Sequence, residues 1–215
     1  MNQPLLIELQ YLPCLEYFAA LNKHKVVVME KHEHYGKQSY RNRCRILTAN
    51  KVMSLSIPVK KNHSSKVIAD VEIDYSQKWL SQHWNTISSA YGNAPYFEYF
   101  SEYFYKILFK KNRFLFDLNL ELLSIILDLL QWPKDLKTTE VYHPSPASGY
   151  EDLRDMIHPK RSYKKNNLYE PCNYNQVFGK NFVRNLSIID LLFCQGLEAK
   201  QVIKQSTFGS HGNNC

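Results

Sequence analysis

A chain of 215 residues, 44% hydrophobic and 22% charged, is long enough to bury one core without disulfides or metal. These fractions exclude wholesale disorder and collagen-like or coiled-coil designs. The net charge of +7 is lodged in residues 1–66, which hold 11 Lys or Arg against 4 Asp or Glu, whereas residues 67–215 hold 16 against 16. A basic first third favours an anionic partner for that region, with a solvated basic face as the plain alternative.

The opening MNQPLLIELQYLP has neither a basic stretch nor an apolar run ending in small residues, so no secretory signal is expected. Leu5 to Tyr11 is a short apolar run, Leu15 to Leu21 reads as helix, and Val26-Val27-Val28 is a β-branched run typical of a buried strand. Strand, helix and strand in that order predict a βαβ opening and a parallel sheet. Cys44 to Thr48 and Val52 to Val59 flank Ala49-Asn50-Lys51 and predict a hairpin. Val67 to Tyr75 alternates apolar residues with Asp70, Glu72 and Asp74, the pattern of a half-buried strand.

After Tyr75 the pattern is helical. Trp79, His83, Ile87 and Tyr91 recur every four residues beside Trp84, and Gly92 to Pro95 stops that helix. Tyr96 to Phe109 is dense in aromatics. Phe114 to Gln131 predicts a nearly buried helix, because Asp117, Glu121, Ser124, Asp128 and Gln131 fall in a stripe about 80° wide. Its acids also exclude a membrane span. Residues 143–176 predict a long irregular loop, and Ser187 to Leu197 a last apolar helix capped by Ser187 or Asn185. The expected fold is α/β: one domain over residues 1–205 with a mixed sheet (βαβ opening, central hairpin) covered by helices from residue 79 onward. Ser206 to Cys215 is expected to be a disordered tail. The five cysteines are odd in number and lack a C-x-x-C pair, so they read as free thiols in a reducing, cytoplasmic setting.

Only seven glycines are present, and no P-loop, G-x-G-x-x-G, G-x-S-x-G or H-E-x-x-H motif occurs. Three constellations remain. Arg41, Arg43 and Arg45, preceded by Lys37, share one face if the backbone is extended, and guanidinium forks suit phosphate or carboxylate. Tyr40 and Asn42 lie on the opposite face, and the alternative is pairing of the arginines with Glu30, Glu33 or the acids of Val67 to Tyr75. His32 and His34 beside Glu30 and Glu33 lack a third ligand at usable spacing, so no metal is expected. His83, on an aromatic helix face with Trp79 and Trp84, is either a hydrogen-bonded structural histidine or an acid–base group. Asp190, in an apolar helix, is either a helix-surface residue, a partner for a buried Arg or an acid–base group.

Glu30-x-His32-Glu33-x-Tyr35-x-Lys37-Gln38-Ser39-Tyr40-Arg41-Asn42-Arg43-Cys44 resembles the signature of the WbqC-like family. Tyr11-Leu12-Pro13, Ile57-Pro58-Val59, Trp79-x-x-x-His83-Trp84, Ser89-Ala90-Tyr91 through Phe97, Tyr174-x-Gln176-Val177-Phe178 and Asn185 to Phe193 resemble it too, so the likeness runs from about residue 8 to 196. Many members open with Gln-Pro-Tyr, where this chain has Glu8-Leu9-Gln10. The resemblance implies a cytoplasmic bacterial protein of surface-polysaccharide (O-antigen) gene clusters, with aminoacyl or acyl transfer to an activated amino-sugar as the implied chemistry.

The expected function is therefore a transferase-like enzyme whose partner is a phosphorylated small molecule or nucleotide-sugar; no cofactor is identified. His83, Glu30, Glu33 and Asp190 are the catalytic candidates. Lys37, Gln38, Tyr40, Arg41, Asn42, Arg43, Arg45, Lys60, Trp79, Trp84, Tyr91, Gln176 and Asn185 are the ligand-binding candidates. Two alternatives stay open: an RNA-binding module, disfavoured by the absence of an RNA motif, and a non-catalytic partner of a biosynthetic enzyme. Membrane insertion is not expected.

Overall fold

A computed structural model describes residues 3–60 and 67–209. Strand β1 (Leu5–Ile7), helix α1 (Leu15–Asn22) and strand β2 (Val26–Met29) form the expected βαβ unit, with Leu5 paired in parallel to Val27 and Ile7 to Met29. Strand β3 (Arg43–Leu47) and strand β4 (Val52–Ser56) form the expected antiparallel hairpin. Helices α2 (Trp79–Tyr91), α3 (Phe97–Phe109) and α4 (Leu115–Leu129) follow. Strands β5 (Asp135–Thr138) and β6 (Glu151–Asp152) and helices α5 (Ile188–Gln195) and α6 (Ala199–Gln205) complete the chain.

The parallel strands run β5-β2-β1-β6, and the hairpin forms a second sheet of its own. β1 and β2 lie in the middle, buried on both faces, which is why they read as continuous apolar runs. β5 and β6 lie at the edges, and their polar sequences DLKT and ED carry no strand signal. One apolar cluster joins β1, α1 and the hairpin to α2, α4 and α5. Helix α4 has Asp117 and Asp128 exposed and Leu118, Leu122, Leu123 and Ile126 fully buried, the stripe its sequence predicts.

The expected strand from Val67 to Tyr75 is corrected. It holds one 3-10 turn, Ile68–Asp70, then extended residues joined by single bridges, Val59 to Ile73 and Glu72 to Phe114. No neighbour runs alongside for long enough to make a ladder, so only Val71 and Ile73 alternate inward. The loop over 143–176 is irregular as expected, apart from β6 and a 3-10 turn at Tyr163–Lys165. The expected disordered tail is corrected at its start: Ser206 and Thr207 are buried, and the Ser206 carbonyl accepts from the Glu170 N–H at 2.8 Å. Residues 210–215 lie outside the described residues. Cys14, Cys44 and Cys194 are free and buried, but Cys172 is disulfide-bonded, against the expectation of five free thiols. Among the described residues no helix is long and apolar enough to cross a membrane.

Candidate functional site

Parallel strands send their carboxyl ends to one edge, where the backbone turns away and side chains converge. Glu8 follows β1, Glu30 follows β2, Thr139 follows β5 and Arg154 follows β6; Glu30, Thr139 and Arg154 share one hydrogen-bonded network, and Glu8 enters a second beside it. Glu30, fully buried, accepts from the Thr139 hydroxyl at 2.7 Å and from Arg154 Nη1 at 3.0 Å. Arg154 also makes a two-pronged contact with Asp152, at 2.8 and 2.6 Å. Glu8 accepts from the Gln10 side chain at 2.9 Å and from the Asp155 N–H at 3.0 Å.

Arg41 joins the second of these networks, through Asp155, rather than lying beside the other two arginines. Its Nε and Nη2 reach the two carboxylate oxygens of Glu33 at 2.7 and 2.6 Å, and its Nη1 lies 2.9 Å from Asp155. Arg41 and Glu33 are both buried, whereas the Asp155 side chain is 65% exposed. Burial pushes the Glu33 carboxyl up to about 7, against the pull of Arg41 and with the help of Glu8 and Asp155 nearby. The pairing of an arginine with Glu33, one of the two alternatives in the sequence, is what Arg41 adopts.

Arg43 and Arg45 sit in β3 and are half-buried. Cross-strand pairing sets Arg43 opposite Ser56 and Arg45 opposite Ser54, so these four share one face of the hairpin. Arg45 lies beside the Tyr40 hydroxyl, and among the described residues Arg43 Nε is buried without a partner. Asn42 turns the other way from Arg41. Its amide donates to the Ile57 carbonyl at 2.8 Å, leaving its side-chain oxygen unpartnered.

Asn42 opens onto a cleft of about 540 Å³ between β4 and α2, within the usual range for small-molecule sites. Trp79, Gln82, His83 and Thr86, one face of α2, line it with Gln77, Ser54 and Ser56. A second hollow of about 360 Å³ shares Met53 and Thr86 with the first and continues along α2 past Asn85 and Ser89 to Asn50 and Thr48. Among the described residues neither lining contains an Asp, Glu, Lys or Arg, although such residues make up 22% of the chain. Its polar lining is amides, hydroxyls, the His83 ring and one indole, set among Met53, Leu55, Ile57, Ala90 and Phe178.

His83 lies at its floor. Burial lowers its pKa to about 4, so the ring is neutral at pH 7. A neutral ring has one donor and one acceptor. One N–H is given to the Ser56 carbonyl, and Nδ1, 3.2 Å from the Tyr11 hydroxyl, is left to accept. The Trp79 ring meets His83 edge-on at 5.0 Å, and among the described residues Trp79 Nε1 is buried without a partner.

The remaining candidates lie elsewhere. Asp190 is fully buried in α5 and accepts from Tyr91 at 2.8 Å, Tyr174 at 2.6 Å and Gln176 at 3.1 Å. Burial raises its pKa despite these three donors. Gln176 also exchanges two bonds with the Val183 backbone, so the group pins residues 174–183 to α5. Asn185 caps α1: its side-chain oxygen accepts the Glu16 N–H at 2.9 Å, and the Leu186 carbonyl accepts the Leu15 N–H. Ser187 stands at the start of α5, but its hydroxyl donates to the Leu12 carbonyl and not to its own helix. Trp84 packs edge-on against Tyr105 at 5.0 Å. Lys37 and Gln38 are exposed on the loop before Arg41, and Lys60 pairs with Glu72 at 2.6 Å.

Three groups therefore gather the candidates: Glu30, Glu33 and Arg41 at the sheet edge, Asn42, Trp79 and His83 in the groove, and Tyr91, Gln176 and Asp190 at α5. Sequence reasoning missed Glu8, Tyr11, Arg154 and Asp155, which are brought in by topology, and Gln82 and Thr86. The last two were detectable, since they fall on the His83 side of a helix whose period is clear. Among the described residues no group of three His, Cys, Asp or Glu is placed to hold a metal ion.

The WbqC-like protein family model matches residues 9–158 and 134–202. An uncharacterized protein of Mycobacterium tuberculosis, Rv1507c, is 26% identical over 231 residues, covering 95% of this chain and 98% of that protein. No solved structure matches. With the family model spanning the sheet edge, the groove and the α5 cluster alike, this chain belongs to the WbqC-like protein family.

Proposed function

We propose that the protein is a transferase-like enzyme of surface-polysaccharide biosynthesis that acts on a nucleotide-activated amino-sugar held in the groove between the hairpin and α2. One observation supports this reading: among the described residues the groove's polar lining is amides, hydroxyls, an imidazole and an indole with no Asp, Glu, Lys or Arg, while Arg43 and Arg45 share the hairpin face of Ser56 and Ser54. Amides and hydroxyls bind sugar hydroxyls, and an indole face packs on the apolar side of a sugar ring. The two arginines suit a pyrophosphate at the rim.

In acyl or aminoacyl transfer the sugar amine attacks the acyl carbonyl, a C–N bond forms, the bond to the acyl carrier breaks and the amine proton leaves on the departing carrier. Both ring nitrogens of His83 are already committed, to the Ser56 carbonyl and the Tyr11 hydroxyl, so in this reading the neutral His83 ring shapes the floor of the groove and positions the sugar. Glu30, Glu33 and Asp190 are committed to buried partners and act by holding the surrounding loops. A thermal-shift panel of nucleotide-sugars, the matching nucleoside diphosphates and the free sugars tests the proposal. Nucleotide-sugars are expected to raise the melting temperature more than either half alone. Equal shifts from nucleotide-sugar and nucleoside diphosphate would leave the groove without a role.

A further inference from the structure

Helix α3 covers the core with Phe104 and Leu108 and turns an aromatic surface outward. Tyr99, Tyr103 and Tyr105 are 71, 46 and 41% exposed, an unusual density of rings for one solvated helix. Between them, on the outermost line of the helix, stand Glu102 and Lys106, each with a side chain 70% exposed and 2.8 Å from the other. They lie two residues before and two residues after Phe104. The helix is thus charge-antisymmetric about that level, acidic on one side and basic on the other.

That arrangement is self-complementary. A two-fold axis crossing α3 at the level of Phe104 runs a second copy of the helix antiparallel to the first. Each Glu102 then faces the copy's Lys106, and each Lys106 the copy's Glu102, so the local pair becomes a closed square of four alternating charges. Tyr103 and Tyr105, one residue either side of the axis, meet their own copies on the two flanks. Tyr99 is carried past the axis toward the copy's hollow of about 350 Å³ lined by Tyr103, Ile107 and Ile125. An isologous contact of this kind needs one patch that fits itself, and tyrosine is a residue type enriched at such interfaces.

We propose that the outer face of α3 is a homodimer interface, with a second copy of this chain packed antiparallel across Glu102 and Lys106. Sedimentation equilibrium of the full chain over a range of concentrations tests this. The wild type is expected to dimerise, and Glu102→Lys and Lys106→Glu are each expected to raise the dissociation constant by about tenfold or more through like-charge contacts across the axis. The two single variants mixed together are expected to pair as the wild type does, because a helix basic at both positions then meets a helix acidic at both. The double exchange Glu102→Lys with Lys106→Glu should restore the dimer as well. Both side chains are exposed, and far-ultraviolet circular dichroism checks that the variants fold. A wild type that stays monomeric to about 1 mM would overturn the proposal. So would a dimer that is indifferent to the single reversals, or one that the mixture fails to restore.

Discussion

Arg41 and Glu33 are buried against each other, and neither reaches solvent enough to recover its hydration if the other is removed. Arg41→Met is therefore expected to destabilise the fold by about 3–5 kcal/mol in chemical denaturation, because it strands the Glu33 carboxylate. Arg41→Met combined with Glu33→Leu should cost clearly less, since no charge is left behind. Additive losses in the double variant would show that the pair is not the unit. His83 makes a second, opposite kind of demand. Its pKa in the fold, about 4, lies below the ordinary 6.5, so the folded chain binds fewer protons between those values. The stability it contributes is full above pH 6.5 and is lost as pH falls toward 4, by about 3 kcal/mol. Glu33 works in the other direction, its contribution being full below pH 4.5 and lost as pH rises through about 7, so the two offset each other in the whole protein. The His83 imidazole titration by proton NMR separates them. A midpoint near pH 4 is expected, and one near 6.5 would mean that the ring is hydrated.

Helix α4 is an element whose sequence and packing agree throughout. Leu123 is fully buried and Asp128 exposed, so Leu123→Asp should destabilise by about 3 kcal/mol or more, through an unpaired buried charge, and Asp128→Asn by less than about 1 kcal/mol. Equal denaturation midpoints for the two variants would contradict the assignment of faces. The same legibility extends to α2, the hairpin and the βαβ unit, because each carries its own period over enough residues. It stops at β5 and β6, which are short edge strands that take their conformation from β2 and β1 and not from their own side chains. It stops also at Val67 to Tyr75, where strand-like alternation finds only single-residue bridges. The cap of α1 is invisible locally for the same reason. Asn185 arrives from 169 residues away, and the side chain of Cys14, the residue at the helix start, makes no capping hydrogen bond.

At the scale of the molecule, the sheet edge and the groove are built by topology. Glu8, Glu30, Thr139 and Arg154 are far apart in the chain and converge because four parallel strands end together. The residue types were legible in Glu30, Glu33 and Arg41, but which arginine goes inward was not, because spacing by two predicts a common face only where the backbone is a strand. Arg41 precedes β3, and there the common face ends. What remains for ligand contact is Arg43 and Arg45 beside an uncharged groove, and calorimetric titration addresses that arrangement most directly. A nucleotide-sugar that stabilises the protein is titrated into the wild type, Arg43→Ala and Thr86→Arg. Arg43→Ala is expected to weaken binding by about 1.5–3 kcal/mol, the range for hydrogen bonds to charged groups. Thr86→Arg, which drives a long side chain into the wall shared by the two hollows, is expected to abolish it while the folding midpoint stays within about 0.5 kcal/mol of the wild type. Wild-type affinity in both variants would contradict the account, since the ligand would then lie outside the groove.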